Sequence, residues 1–452
     1  MDAPRDTLHA PGSLTMPIPE SADSGVGYIY VPGTTYRKRI DSGLRIAGSV
    51  VLDSLPPGLM PSVDYAKGDT GSRPIVIATD VSVHSPGTTH VNAYAAWPYS
   101  AKLALNTSAS GVPISRDQED FPLLVRLTAP AFDFSKAAPG GADLRFAKAD
   151  GTPLAREIAS WDAQAGKADV WVRMDTVHAG SAAQYLTLHW GKADAAAFKA
   201  RRPVFDTLAG FAGAWHPEED AADTTANGLY KDITGAGSDA DDRIANTSRS
   251  GVVGAGHGLD SGDYAEAPKA SAGLRLTRAF TLAIWYRSTG KGMGPIGGEL
   301  ISIGDNYGLR LQHDSLIHFW YWPATPPAGS PTAWYEVTVK GATYLDGNWH
   351  QIFGTLDAGH LRLYVDGNEV GNATTPDPVG LQCRGLAGKS GAPGYGLLPE
   401  AERGPHPHRR LRRAPGGSAQ DRRDPGGPLP GNGTGKVAFF QALRPWRRPL
   451  YI

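Results

Sequence analysis

The chain has 452 residues, of which 41% are hydrophobic and 20% charged, and this length predicts about three domains with substantial cores. The formal net charge is −1, which excludes a global field able to attract nucleic acid. The 56 glycines and 36 prolines favour a β architecture with many turns, because short strands need frequent chain reversals.

The number of cysteines and the length of the apolar runs narrow the possible classes of protein further. Cys383 is the only cysteine, which excludes an internal disulfide. No apolar run approaches the roughly 18 residues of a membrane span, so we expect no transmembrane segment in this chain. The N-terminus, Met1-Asp2-Ala3-Pro4-Arg5-Asp6, lacks the basic start and apolar core of a signal peptide.

Residues 1–92 alternate short β-type runs with turn residues. Tyr28-Ile29-Tyr30-Val31 stops at Pro32-Gly33, and Ser49-Val50-Val51-Leu52 stops at Pro56-Pro57-Gly58. No stretch has a helical period. The pattern predicts a small β-sandwich-like segment, which we expect to be truncated at its N-terminus.

Residues 93–200 carry a succession of closely spaced strand motifs. These are Trp97-Pro98-Tyr99, Phe121-Pro122-Leu123-Leu124-Val125-Arg126-Leu127, Gly141-Ala142-Asp143-Leu144-Arg145-Phe146, Glu157-Ile158-Ala159-Ser160-Trp161-Asp162, Val170-Trp171-Val172-Arg173 and Tyr185-Leu186-Thr187-Leu188-His189-Trp190-Gly191. In this order they resemble the bacterial domain of unknown function 2341 (DUF2341). The resemblance implies an exported β domain with no assigned catalytic residue. Its polar residues, such as Asp143 and Arg145, are interpreted as ion pairs and turn caps.

Residues 201–380 contain a core strand, Phe280-Thr281-Leu282-Ala283-Ile284-Trp285-Tyr286-Arg287, and a hairpin from Trp349 to Val370. Asp366-Gly367 supplies the positive φ angles of a tight turn in this hairpin. Trp349, Ile352, Leu361, Leu363 and Val365 are predicted to face inward. The hairpin resembles the concanavalin A-like, laminin-G-type jelly roll, which implies an all-β fold of tandem sandwiches. That fold hosts lectins, glucanases and adhesion spacers.

Hydrolysis is the least favoured function of this jelly roll. Enzymes of the fold use a Glu-x-Asp-x-x-Glu strand, and the nearest match is Glu218-Glu219-Asp220-Ala221-Ala222-Asp223. This segment ends in Asp and has the pattern of a loop, which cannot preorganise two carboxylates. We therefore expect no enzyme and no catalytic residue.

Two candidate sites remain in the jelly roll. The first is the aromatic cluster Trp320, Trp322, Trp334 and Tyr335, where Trp320 and Trp322 alternate with Phe319 and Tyr321. One pair must be core, and the other either stacks on a sugar or packs beneath a loop. The second is a calcium ion held by Asp260, Asp263 and Asp305 in turns near strand ends. Asp also favours such turns without a metal.

The tail, residues 381–452, has 13 Lys and Arg against 4 Asp and Glu and is rich in Gly and Pro. β alternation returns only at Val437-Ala438-Phe439-Phe440. We interpret the tail as disordered, either as a basic appendage or as a frameshift product. On this interpretation the strand that should close the jelly roll is missing after Gly380.

Together these features predict a non-catalytic extracellular or cell-surface binding or adhesion protein. We expect it to recognise a glycan or another surface protein through the jelly roll, and to bind no nucleic acid. The alternative is a structural spacer without a ligand. Proteins with this domain pair usually begin with an export signal, often a lipoprotein one, so we expect such a signal upstream of Met1.

Overall fold

The computed structural model of the chain describes residues 11–18, 27–41, 44, 49–67, 75–84, 88–198, 203–216, 219, 226–244, 248–259, 263–268, 272–274, 276, 279–288, 298–303, 307–311, 316–322, 334–357, 359–375, 395–396 and 439–443. It divides after Phe205 into two compact units. The described helical elements within residues 93–375 are three-residue 3-10 turns at Phe134–Lys136, Pro139–Gly141, Thr207–Ala209, Ala272–Leu274 and Ala342–Tyr344. The all-β prediction is confirmed.

The N-terminal module is built from two sheets around one apolar cluster. The three-stranded sheet has the order β4-β1-β7 and the four-stranded sheet the order β3-β2-β5-β6. Side chains that alternate along these strands, such as Leu14, Met16, Ile29 and Val63, are buried between them. The strands are β1 (Gly12–Pro17), β2 (Gly27–Tyr30), β3 (Arg37–Ile40), β4 (Ser49–Leu55), β5 (Gly58–Lys67), β6 (Ile75–Val83) and β7 (Thr88–His90).

The second module also contains two sheets, with the orders β11-β10-β14-β8 and β12-β13-β9. Its longest pairing joins β9 and β13 from Gln118 opposite Val177 to Thr128 opposite Lys167. Leu123, Val125 and Leu127 are buried on β9, as their alternation predicts, but Leu124 is buried as well. The strands are β8 (Tyr99–Leu105), β9 (Gln118–Thr128), β10 (Arg145–Lys148), β11 (Pro153–Leu154), β12 (Arg156–Asp162), β13 (Lys167–Val177) and β14 (Gln184–Trp190).

The C-terminal module is a sandwich of a six-stranded sheet, β15-β29-β20-β25-β26-β27, and a four-stranded sheet, β21-β22-β23-β24. Side chains of both sheets, including Ile284, Leu309, Phe319 and Leu363, form one hydrophobic core. The strands are β15 (Gly213–Trp215), β16 (Asp241–Arg243), β17 (Ser248–Ser250), β18 (Ala255–His257), β19 (Tyr264–Ala267), β20 (Phe280–Arg287), β21 (Gly298–Ile303), β22 (Tyr307–Leu311), β23 (Leu316–Tyr321), β24 (Tyr335–Lys340), β25 (Trp349–Asp357), β26 (His360–Val365), β27 (Asn368–Thr374), β28 (Tyr395–Gly396) and β29 (Phe439–Leu443).

The hairpin of β25 and β26 forms as the sequence indicates. Asp366 and Gly367 have φ angles of 50° and 78°. Positive φ angles at both central residues are what a tight hairpin turn requires. Ile352 lies in the core. Trp349 does not, and its predicted inward position is wrong: residues three apart on a strand point to opposite faces. Its ring instead lies 5.2 Å from the guanidinium carbon of Arg287.

The six-stranded sheet contains a strand that the sequence interpretation did not include. Phe439–Leu443 pairs with β15 on one side and with β20 on the other. The expectation that no closing strand follows Gly380 is therefore wrong. Tyr395–Gly396 also pairs, with β19. The remainder of the predicted disordered tail lies outside the described residues.

Candidate functional site

Alternation along β23 decides which aromatic side chains are core. Ile317, Phe319 and Tyr321 are buried in the hydrophobic cluster between the sheets. The residues between them, His318 and Trp320, consequently lie on the opposite face of the four-stranded sheet. The predicted separation of Phe319 and Tyr321 from Trp320 and Trp322 is therefore confirmed.

The side chains on that opposite face form rows across the sheet, because directly paired residues share a face. One row pairs Glu299 with Arg310, Arg310 with His318, and His318 with Thr338. The next row pairs Gly308 with Trp320 and Trp320 with Glu336. We call this surface the indole face. It consists of Glu299, Arg310, His318, Trp320, Trp322, Trp334, Glu336 and Thr338.

Trp320 forms the base of the indole face. It is 8% exposed, and a Cβ atom at Gly308 would lie 3.0 Å from Cζ2 of its ring. The guanidinium carbon of Arg310 lies 6.0 Å from the ring centroid, within range of a cation–π contact. A glycine at position 308 therefore allows the indole to lie against the neighbouring strand.

Trp322 and Trp334 lie at the end of the face, with ring centroids 5.6 Å apart and an interplanar angle of 48°. Both are partly exposed. Tyr335, the fourth predicted aromatic ligand, does not join them. Its ring stacks 5.5 Å from that of the core residue Tyr321, so three of the four predicted residues come together.

Polar contacts fix the side chains next to this indole pair. Trp334 Nε1 donates to Glu336 Oε2 at 2.9 Å, and His318 Nδ1 lies 3.4 Å from the same oxygen. The hydrogen bond with His318, assisted by that from Trp334 and opposed by burial, holds the pKa of the Glu336 carboxyl below its usual value. Glu336 is thus an ionised acceptor beside two indoles.

The charged partners of the aromatic residues were not singled out from the sequence. Arg310 Nη2 donates to Glu299 Oε1 at 2.6 Å, and His318 Nδ1 lies 3.2 Å from Thr338 Oγ1. The available signal was alternation along β22 and β24, which puts Arg310, Glu336 and Thr338 opposite the core positions. The register that joins them to Trp320 and Trp334 could not be read from the sequence.

The predicted calcium and hydrolase positions fall largely outside the described residues. Asp260 and Asp305 lie outside them, whereas Asp263 is described and buried. Among the residues that the structure describes, no group of three or more His, Cys, Asp or Glu side chains could hold a metal ion. Of the segment Glu218–Asp223, Glu219 alone is described, and its Oε1 accepts from the Lys231 amide at 3.2 Å.

Polar residues of the second module have structural partners. Asp143 accepts hydrogen bonds from the amides of Ala138, Gly191 and Lys192, as a turn cap should. Arg145 is 1% exposed and donates to backbone carbonyls, among them that of Ala196 at 2.5 Å.

No helix among the described residues is both long and apolar enough to cross a membrane.

Two protein-family models match the chain. Residues 259–385 match the concanavalin A-like lectin/glucanases superfamily (Laminin_G_3), and residues 140–218 match the domain of unknown function DUF2341. The chain therefore combines these two kinds of domain, as the sequence resemblance predicted. No curated protein matches the sequence.

Solved structures resemble the chain only distantly. The binding domain of botulinum neurotoxin DC in complex with SialylT is 11% identical, with 38% of this chain and 41% of that chain covered and a TM-score of 0.27. The botulinum neurotoxin serotype D binding domain is 8% identical, with coverages of 53% and 50% and a TM-score of 0.30. The Ruminococcus gnavus IT-sialidase CBM40 bound to α2,3-sialyllactose is 12% identical, with coverages of 28% and 70% and a TM-score of 0.23. The chain spans less than half the length of the first of these structures.

Proposed function

We propose that this chain is a non-catalytic surface protein that binds glycans through the indole face of its C-terminal module. The observation that carries the proposal is the partly exposed pair Trp322 and Trp334 on the side of the sheet away from the core, where Trp334 donates a hydrogen bond to the ionised Glu336. Aromatic faces stack on the apolar faces of pyranose rings, and a few fixed polar groups orient the sugar hydroxyls.

The electrostatics of the face support binding rather than hydrolysis. A glycosidase needs one carboxyl group with a raised pKa to protonate the leaving oxygen. The pKa of Glu336 is instead lowered by its contacts with His318 and Trp334. Glu299, the second carboxylate of the face, is paired with Arg310 at 2.6 Å. Glu336 therefore lacks the surroundings of a general acid, and Glu299 is held in an ion pair.

The test is the substitution Trp334→Ala in the full chain. It removes one stacking surface and the hydrogen bond to Glu336, and we expect oligosaccharide affinity to fall by about tenfold or more, since such a contact contributes on the order of 1–3 kcal/mol. Affinity is measured by isothermal titration calorimetry with oligosaccharides that a glycan array has first identified.

Trp349→Ala is the matched control, because Trp349 is a partly exposed tryptophan of the other sheet. It should leave the affinity unchanged. Equal affinity of the Trp334→Ala variant and the wild type, or a glycan array without any signal, would contradict the proposal and favour a structural spacer.

Calcium at Asp260, Asp263 and Asp305 stays a separate proposal, checked by repeating the titration with EDTA.

A further inference from the structure

We infer that the indole face selects uncharged sugars and discriminates against anionic ones, with Glu299 as a residue that sets this specificity. This inference rests on the proposed glycan-binding function. It concerns the class of ligand, and it follows from how the charges of the face are paired.

Of the described cations, Arg310 lies on the indole face and could attract an anionic sugar, but it is already paired with Glu299. The two side chains are joined at 2.6 Å and are 25% and 16% exposed, respectively. Ion pairs that are shielded from solvent are screened less by water and salt than exposed ones. A carboxylate or sulfate of a ligand would therefore have to compete with Glu299 for the guanidinium group.

Among the residues that the structure describes, the remaining ionisable groups of the indole face and of β24 do not supply a free positive charge beside the indole pair. His318 lies 3.4 Å from Glu336, and its side chain is 12% exposed. Lys340 is exposed and lies four residues beyond Glu336 on β24, which is about 13 Å along a strand. The carboxylate of Glu336 is bonded directly to Trp334, so an anion stacked on the indoles would be repelled.

A neutral sugar fits the same groups well. The described contacts of Glu336 with Trp334 and His318 both use Oε2, which leaves Oε1 as an acceptor for a donor from outside the chain. A sugar hydroxyl supplies that donor, whereas an ionised carboxylate or sulfate has none. Hydrogen bonds to a charged acceptor are the stronger ones, so the polar contact favours hydroxyl groups over anions.

The experiment compares neutral and anionic oligosaccharides on the full chain and on the variant Glu299→Gln. The probes are cellohexaose and maltoheptaose on one side, and α2,3-sialyllactose and tetragalacturonate on the other. We expect the wild type to bind at least one neutral probe about tenfold more tightly than either anionic probe. Release of Arg310 in Glu299→Gln should raise the ratio of anionic to neutral affinity by about tenfold.

Trp334→Ala separates the two proposals. If an anionic probe binds the wild type as tightly as the neutral ones and loses its affinity in Trp334→Ala, the neutral-sugar inference is overturned while the glycan-binding function stands. An unchanged affinity ratio in Glu299→Gln would overturn the role of Glu299. If Trp334→Ala alters the binding of no probe, the proposed function itself fails.

Discussion

At the scale of single residues, a glycine leaves room for a core aromatic ring between the two sheets of the C-terminal module. Gly354 on β25 pairs with Leu282 and Leu363, whose side chains enter the core. A Cβ atom at position 354 would lie 2.4 Å from Cδ2 of Phe319. The Phe319 ring therefore occupies the space that a side chain at 354 would need.

Gly354→Ala should lower the free energy of unfolding of the C-terminal module by about 1–3 kcal/mol, the usual cost of overpacking a core. Urea unfolding of the full chain, followed by hydrogen exchange of residues 349–370, measures this change. Gly273→Ala is the control, because its added Cβ would meet only the Ala212 carbonyl oxygen at 3.7 Å. Equal stability of Gly354→Ala and the wild type would show that Phe319 can move aside freely.

Some of these side-chain positions could be predicted from the sequence, and others could not. The alternation of Phe319 and Tyr321 with Trp320 and Trp322 was visible, because a strand has a period of two. The pair Glu299–Arg310 was not visible, because it depends on the register between strands. The contact of Gly354 with Phe319 was not visible either, because it depends on how the two sheets pack on each other. Trp349 was misplaced for a different reason: a hydrophobicity argument put it in the core, although the period of two along the strand places it on the face opposite to Ile352.

At the scale of elements, His350 ties the Trp349–Val370 hairpin to the preceding loop. Its Nδ1 lies 2.7 Å from Asp366 Oδ2, and its Nε2 lies 3.1 Å from Asp346 Oδ1. Both nitrogens can donate only when the imidazole is charged. Burial lowers the pKa of His350, but the hydrogen bonds and charges of the two aspartates outweigh it, so that the pKa is raised.

Stability of this hairpin should therefore depend on pH in two steps. The contribution of His350 is present below its ordinary pKa of 6.5 and is lost as the pH rises through the raised value. The pKa of Asp346 is lowered from 3.8 to about 2, chiefly by hydrogen bonds from the Asn348 amide and side chain and then by His350. The contribution of Asp346 to the stability of the hairpin is therefore present above pH 3.8 and is lost as the pH falls towards 2. The hairpin should be most protected from hydrogen exchange between these limits.

The substitution His350→Gln checks this prediction. The protection factors of amides 349–370 should fall most between pH 4 and 6.5 and approach those of the wild type at higher pH. His178→Gln is the control, because His178 pairs with Asp117 in the second module and should leave the hairpin unaffected. A loss of protection in His350→Gln that is the same at every pH would mean that only packing was removed.

At the scale of the whole molecule, the sequence was sufficient for the order of the modules and the all-β class. Turn residues and strand alternation are local signals, and the hairpin motif is carried by 22 consecutive residues, Trp349–Val370. The closing strand was not recognised. Phe439–Leu443 pairs with Gly213–Trp215, more than 200 residues earlier in the chain, and no local pattern predicts a partner at that distance.

The strand Phe439–Leu443 lies between two neighbours inside the six-stranded sheet. Breaking its pairing should therefore destabilise the C-terminal module. Ala442 is opposite Gly213 on one side and Leu282 on the other. Ala442→Pro removes an amide donor where a central strand needs one, and the unpaired group should cost about 1–3 kcal/mol or more. We expect a lower Tm of the C-terminal module and faster hydrogen exchange along β20, whereas Ala442→Gly, which keeps the amide and adds no polar group, should lower the Tm by less. If Ala442→Pro instead melts and exchanges like the wild type, Phe439–Leu443 does not close the sheet, and the segment after Gly380 is an appendage or the product of a shifted reading frame.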